Sequence, residues 1–431
     1  MKRQFVPSVC VVLALAFGLV APATSAAQTT PFPAYAVIDL GTFGGTTSAA
    51  LDINAAGQVD GTAFTAANIP HAFLYSNGVM TDLGTLGGCC SYGGGINASG
   101  QVIGQSDNAQ DFRRGFLYSD GVMTELPTLG GPDSRAFDIN DAGQIVGIST
   151  PLGGGFQHAF LYDHGVMVDL GNLPGGNTSY ANSINQSGQI AGSSGPGSGV
   201  TQEHAYLYTG GVMTDLGTLG GTRSVAFSLN DSGQVVGWSD IAGDTTSHPF
   251  LYSQGAMTDL GTLGGGSGQA AGINNLGEVV GWASTPDNPQ HAFLFRQGVM
   301  HDLNDLIPAG SGWELTYAAD INAVGQIVGW GKISGQQHGF LLTPRSPSEL
   351  TGDLIGLIQT FNLPQGIENS LIVKLKNAQD SLAAGDTTGA CDKLTAFIHQ
   401  VNAQAGKVLT ADQAEQLIAG AGQIKAILGC P

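Results

Sequence analysis

The chain is poor in positive charge: Lys and Arg number 14 among 431 residues, against 33 Asp and Glu. Such an acidic surface repels phosphates and anionic headgroups, so neither nucleic acid nor anionic lipid is an expected partner. Long apolar runs are missing too. The one near the start, residues 9–20, is too short for a comfortable membrane span. No Asp-x-Asp-x-Asp-Gly calcium loop occurs, and no nucleophile, base and orienting group stand at a recognisable spacing. The sequence therefore assigns no catalytic residue, no metal ligand and no cofactor. Cysteine is scarce as well, at five, of which Cys10 lies in the first 27 residues.

Those 27 residues have the order of a secretion signal. Lys2 and Arg3 precede the apolar stretch, and small residues at 21–27 offer a cleavage site. Cys10 stands at the start of the apolar run rather than at its end, which argues against a lipid anchor. Removing the leader leaves 12 basic residues against 33 acids, a net charge of −21. An exported, oxidised product is expected.

What the chain has in abundance is repetition. A histidine followed by an aromatic run recurs at His71, His158, His204, His248, His291 and His338, with Arg114 in the second copy. An acid followed by leucine recurs at Asp39, Asp82, Glu125, Asp169, Asp215, Asp259 and Asp302. Asn-x-x-Gly-(Gln/Glu) begins at Asn54, Asn97, Asn140, Asn185, Asn230, Asn274 and Asn322, at intervals of 43, 43, 45, 45, 44 and 48 residues. A period in the forties with several short strands per copy fits propeller blades.

In the fifth copy the strand-like runs are 205–208, 212–216, 224–229 and 234–238, rich in Val, Phe, Tyr, Thr and Leu. Tyr-x-x-Gly joins the first two and Asn-x-x-Gly the last two. Both fit a type I turn followed by a glycine at positive φ, and the asparagine side chain favours the turn by bonding two residues on. The expected fold is mainly β: a seven-bladed β-propeller of four-stranded antiparallel blades over residues 28–345, then a small α-helical bundle at 346–431. The first copy starts at its second strand, 35–40, and its missing first strand comes only at 338–342. A ring in which that last strand completes the first blade leaves no open edge.

These words, His-Ala-Phe-Leu-Tyr above all, resemble the bacterial HAF repeat family of predicted extracellular proteins. The resemblance covers roughly three quarters of the chain, and all seven copies carry at least two of the three landmarks. It departs at Arg114 and at residues 303–308, where Leu-Asn-Asp-Leu-Ile-Pro replaces Leu-Gly-Thr-Leu-Gly-Gly. It implies a repeat architecture and an extracellular location, and no established activity.

The hairpin turns are uniform and share one face. The connections at 105–113, 149–157, 193–203, 239–247, 283–290 and 304–316 vary and share the other, which is where recognition is expected. All four tryptophans fall in the last three copies: Trp238, Trp282 and Trp330 at matching positions, and Trp313 in the long connection. Thr62, Gln105, Ile148 and Ser193 take the matching place in the first four. Such a row either stacks on sugar rings or packs between blades. Histidines spread one per blade do not converge on one ion, so they and the acids are expected to make repeated structural bonds and loop caps. A catalytic site would break the symmetry, and the breaks are Arg113-Arg114, Asp107, Asp111, Cys89-Cys90-Ser-Tyr92 and Trp313-Glu314.

Beyond residue 345 glycine thins and helical periodicity begins, with helices expected at 348–361, 366–384, 386–405 and 411–428. Pro364 separates the first two, and Thr410 with Gln413 forms a capping box for the last. The tail resembles the FIMAH-type helical module that ends some secreted bacterial proteins. Cys391 and Cys430 sit where an antiparallel helix pair brings them together, and a disulfide there stabilises by about 3 kcal/mol. Cys89 and Cys90 are either a vicinal disulfide or two thiols. Two functions fit: a secreted, non-enzymatic scaffold that binds an extracellular glycan or protein, or an exported polysaccharide hydrolase or lyase using the variable face.

Overall fold

The structure, a computed structural model, describes residues 34–196, 202–287 and 289–430. The expected secretion signal lies outside the described residues.

The described residues are mainly β up to Pro344 and helical from Pro347. The strands assemble into four-stranded antiparallel sheets spanning residues 44–82, 87–125, 130–169, 178–215, 220–259 and 268–302. A further group comprises Trp313–Ile321, Ile327–Ile333, Gln336–Pro344 and the N-terminal Tyr35–Gly41. It joins the first sheet through one parallel bridge, Thr47 to Gln337.

Within a sheet the order is fixed by its three connections. In the fifth, Gly220–Leu229 turns at Asn230 into Val235–Ile241, a loop leads to Ser247–Ser253, and a tight turn leads to Ala256–Asp259. The Leu-Gly-Thr-Leu-Gly-Gly segment then crosses to the next sheet. The sheet is therefore out of phase with the repeat as read from the sequence: the third and fourth runs of one copy pair with the first two of the next. For the same reason the strand at 338–342 does not complete the first sheet. Tyr35–Gly41 pairs antiparallel with Gln336–Pro344, from Tyr35 opposite Pro344 to Gly41 opposite Gly339, so the first strand completes the last sheet.

The turns divide into two kinds. In Asn-x-x-Gly only the glycine has positive φ, as at Gly57 (76°), and the asparagine Oδ1 accepts from the amides two and four residues on. Tyr-x-x-Gly is instead a two-residue loop with both residues at positive φ, such as Asn77 (51°) and Gly78 (82°), or His164 (47°) and Gly165 (89°). This is a type I′ turn rather than the expected type I. Its twist matches that of the flanking strands, which a type I turn would splay.

The apolar residues pack between successive sheets. One cluster joins Ala191 and Ala205 to Ala226, Leu229, Val235 and Phe250; another joins Leu40, Val328 and Leu341 to Ala50, Ile53 and Phe73. Each second strand carries a glycine, from Gly61 to Gly329, where a Cβ would come within 2.2 Å of a neighbouring carbonyl oxygen. The aromatic ring opposite it, Phe73 or its counterparts, is fully buried. The histidine-aromatic word of the repeat thus supplies the ring that covers this glycine.

The asparagines of the turns also link the sheets into a cycle. Each Asn Nδ2 donates to the main-chain oxygen of the next: Asn54 to Asn97, then Asn140, Asn185, Asn230, Asn274 and Asn322, and from Asn322 back to Asn54, at 3.0–3.4 Å. Sequence reasoning saw the turn and missed this second use of the same side chain.

The tail forms four helices: α1 Pro347–Thr360, α2 Gln365–Ala383, α3 Thr387–Gln404 and α4 Ala411–Leu428. Pro364 stands at the start of α2, and the Thr410–Gln413 capping box is present. Leu350, Leu354, Leu371, Leu375, Leu394, Phe397, Leu417 and Ile424 fill the core, and Cys391 and Cys430 are disulfide-bonded. No described helix is long and apolar enough to cross a membrane.

Candidate functional site

The recurring histidines and acids are committed to the scaffold. Each histidine Nδ1 meets the acid of the neighbouring strand: His71–Asp82 2.8 Å, His158–Asp169 2.8 Å, His204–Asp215 2.7 Å, His248–Asp259 2.9 Å, His291–Asp302 2.5 Å and His338–Asp39 2.9 Å. The acid also accepts the amide two residues on, as Asp82 does from Gly84 at 2.8 Å. These are the expected structural bond and loop cap. In the second copy Arg114 pairs with Glu125 at 3.3 Å, so both partners changed together.

The tryptophans do not meet one another. Trp238, Trp282 and Trp330 stand at equivalent, half-buried positions on second strands. Trp330 stacks on Tyr317 with ring centroids 4.1 Å apart, and the Arg223 guanidinium lies 5.4 Å from the centre of the Trp238 ring. Trp313 meets Phe340 edge-on at 6.0 Å and packs against a buried cluster.

Two recesses are defined by the arrangement. The first, about 290 Å³, lies on the variable-loop face between the third and fourth sheets. Phe156 and Gln157 of one connection, Tyr180 of an inner strand, and Pro196 and Glu203 of the next connection line it. Phe156 is 43% exposed, and Glu203 accepts from the Ser193 hydroxyl at 2.6 Å. Both connections are among the variable segments picked out in the sequence, but neither aromatic was singled out there.

The second recess, about 320 Å³, runs into the centre of the sheet cycle from the Asn-turn side. Asp52, Asp138 and Asp320 line it at one position of the inner strands, where other sheets have Gly95, Ser183, Ser228 and Gly272. Each reaches the next sheet: Asp52 accepts from the Ile96 amide at 2.8 Å and Asp138 from Ile184 at 2.7 Å, while Asp320 faces the Ile53 amide at 3.4 Å. Burial, with the nearby Asp52 charge, pushes Asp138 up to about 7. Burial, and next to it the Asp320 carboxylate, raise Asp52 well above the ordinary carboxylate value, and burial raises Asp320 against the lowering effect of its hydrogen bond with Asp52. Behind this wall Asp60 is fully buried, and neither carboxylate oxygen makes a well-formed hydrogen bond. Burial and the Asp52 charge hold its pKa well above the ordinary carboxylate value. None of these four acids stood out in the sequence, because each replaces an unremarkable residue inside a strand.

Several of the symmetry breaks converge. Arg113 Nε lies 3.4 Å from Asp107 and its guanidinium 5.8 Å from the centre of the Tyr92 ring, while Cys89 Sγ is 3.3 Å from Asp107. Cys89 and Cys90 are joined as a vicinal disulfide. Among the described residues, Cys89, Cys90 and Asp107 are the His, Cys, Asp or Glu side chains whose ligand atoms lie close enough to share a cation. The sequence had assigned no metal ligand. Glu314, another break, pairs with Lys332 at 3.2 Å.

No family model matches the chain, and no curated protein matches it. Among solved structures, the β-propeller domain of the Trilobed protease from Pyrococcus furiosus is similar over 58% of this chain and 82% of its own, at 11% identity and TM-score 0.41. TolB from Acinetobacter baumannii is similar over 66% and 63%, at 12% identity and TM-score 0.37. The Aleuria aurantia lectin, solved with Fucalpha1-6GlcNAc, is similar over 70% and 93%, at 12% identity and TM-score 0.34. At these scores no residue role or ligand carries over to this chain.

Proposed function

We propose that residues 28–345 form a closed seven-bladed β-propeller of the HAF-repeat kind, exported and non-catalytic, which binds an extracellular glycan or protein through its variable-loop face. The helical module at 346–431, of FIMAH type, serves as a docking or spacing unit. The cycle of asparagine bonds and the pairing of the first strand with the last support the closed ring. The observation that carries the binding reading is the recess between the third and fourth sheets. There two aromatic rings and a carboxylate line a concavity on the face whose connections differ from sheet to sheet. Rings of this kind stack on the apolar face of a sugar, and a carboxylate accepts its hydroxyls.

The hydrolase or lyase reading draws on the adjacent carboxylates of Asp52 and Asp320. They lie in the central recess, however, away from the variable loops, and both are engaged with main-chain amides. Binding is therefore the reading adopted.

A glycan array with the purified mature protein tests it. Wild type should retain a defined set of sugars, and Phe156→Ala/Tyr180→Ala should weaken retention about ten-fold while remaining folded. The Trp238→Ala/Trp282→Ala/Trp330→Ala variant belongs in the same experiment. Trp330 and Trp238 pack on neighbouring strands of their own sheets, so the triple variant should melt lower with little effect on retention. No sugar bound by wild type would exclude a glycan and turn the search to protein partners; retention unchanged in the Phe156/Tyr180 variant would remove the recess as the contact.

A further inference from the structure

We propose that Cys89, Cys90 and Asp107 form a redox-gated site for a thiophilic divalent cation such as Zn2+ or Cd2+. On the inner strand of the second sheet, Gly87 pairs with Asn108 and Ser91 with Ser106, so Gly88, Cys89 and Cys90 together face the single residue Asp107. Adjacent side chains on a regular strand point to opposite faces, but a bulge of this kind breaks the alternation. Gly88 allows the close approach, since a Cβ there would lie 2.4 Å from the Asp107 main-chain oxygen. Both sulfurs and an Asp107 oxygen consequently lie within 4.8 Å of one another. Tetrahedral zinc, with bonds of about 2.0–2.3 Å, asks for ligand atoms about 3.5–4 Å apart.

The carboxylate is poised for a cation. Asp107 Oδ1 faces Arg113, while Oδ2 faces the Cys89 sulfur at 3.3 Å. The fifth sheet shows that an aspartate at this place can hold a cation. There Asp240 occupies the position of Asp107, and Arg223, in the position of Cys90, meets it at 2.8 Å. In the second sheet a sulfur stands at the position of that guanidinium, and Arg113 reaches Asp107 from the other side at 3.4 Å. Cys89 is exposed, which leaves the site open to reductant and ion.

The site opens by a two-electron step. A dithiol reductant gives two electrons and two protons to the Cys89–Cys90 bond and is itself oxidised to a disulfide, leaving two thiols. The cation then displaces both thiol protons to solvent and is held by two thiolates and the Asp107 carboxylate, with water as fourth ligand.

The test uses the mature full-length chain, reduced with dithiothreitol, freed of it without oxygen and titrated with Cd2+ while thiolate-to-metal ultraviolet absorption is followed. Reduced wild type and reduced Cys391→Ser/Cys430→Ser should each develop the band of one bound ion. Unreduced wild type should lack it, and so should reduced Cys89→Ser/Cys90→Ser. Asp107→Asn should weaken binding about ten-fold or more, and Arg113→Gln, which removes the competing guanidinium, should tighten it. Reduced wild type without the band, or Cys89→Ser/Cys90→Ser with an undiminished one, would overturn the proposal. That last comparison decides the matter even where the tail variant is unfolded.

Discussion

At the scale of single residues, Asp60 departs furthest from its counterparts. The same second-strand position holds Ile103, Val146, Ala191, Val236, Val280 and Val328 in the other sheets. Burying a polar group without a hydrogen bond costs about 1–3 kcal/mol in proteins. Asp60→Val should therefore stabilise the fold by about that amount, read from the midpoint of chemical unfolding. The pH dependence has a definite sign. Asp60 binds its proton more tightly folded than unfolded, so its contribution is complete below the ordinary carboxylate pKa and is lost as pH rises toward the folded value. The advantage of the valine variant should thus grow with pH above about 4, by at most about 1.4 kcal/mol per unit. A variant less stable than wild type at pH 7 would show that Asp60 has a compensating role. The departure itself can be read from the sequence, Val59-Asp60-Gly61 against Val235-Val236-Gly237. What the sequence does not show is that the side chain is sealed behind a wall that carries Asp52, Asp138 and Asp320, since that proximity arises only when distant copies close on one another.

At the scale of elements, the sheets are stitched by a repeated serine, and the place where a proline interrupts it shows the rule. In five sheets the amide after the histidine, or after Arg114 in the second, donates to a serine hydroxyl of the neighbouring inner strand: Ala72 to Ser91, Gly115 to Ser134, Ala159 to Ser179, Ala205 to Ser224 and Gly339 to Ser48, at 2.9–3.0 Å. The fifth sheet has Pro249 at the donor position, with no N–H to give, and the facing serine has become Gly268. A Cβ on Gly268 would lie 3.0 Å from the proline Cδ. Gly268→Ser alone should destabilise by about 1–2 kcal/mol, through crowding and an unsatisfied hydroxyl. Combined with Pro249→Ala it should recover most of that loss, because the regular stitch is restored. Thermal unfolding of the two singles and the double measures the coupling, and additive effects would refute it. Arg114 with Glu125 is a second such paired change. Strands and turns at this scale were legible because each repeat spells them out. The pairing of strands across copies was not, since the sequence period is indifferent to where a sheet begins.

At the scale of the molecule, the two ends of the β region meet. The N-terminal part of the chain is tied to its last sheet through Tyr35–Gly41 on Gln336–Pro344, the Asn322–Asn54 bond, the His338–Asp39 pair and the contact of Asp320 with Asp52. All four join residues 268 or more positions apart, so closing them costs chain entropy, and they gain from the six preceding sheets being in place. Removing residues 1–41 would take away the outer strand of the last sheet and leave the main-chain groups of Gln336–Pro344 without their partner. A bare edge strand either pairs with another molecule or frays. The truncated protein should therefore melt lower than the mature chain and self-associate in sedimentation velocity. Supplying the 35–41 segment as a peptide should reverse both effects in part, because it restores the register from Tyr35 opposite Pro344 to Gly41 opposite Gly339. A truncated chain that stayed monomeric with an unchanged melting temperature would show that the asparagine cycle and the inter-sheet cores suffice without the terminal strand.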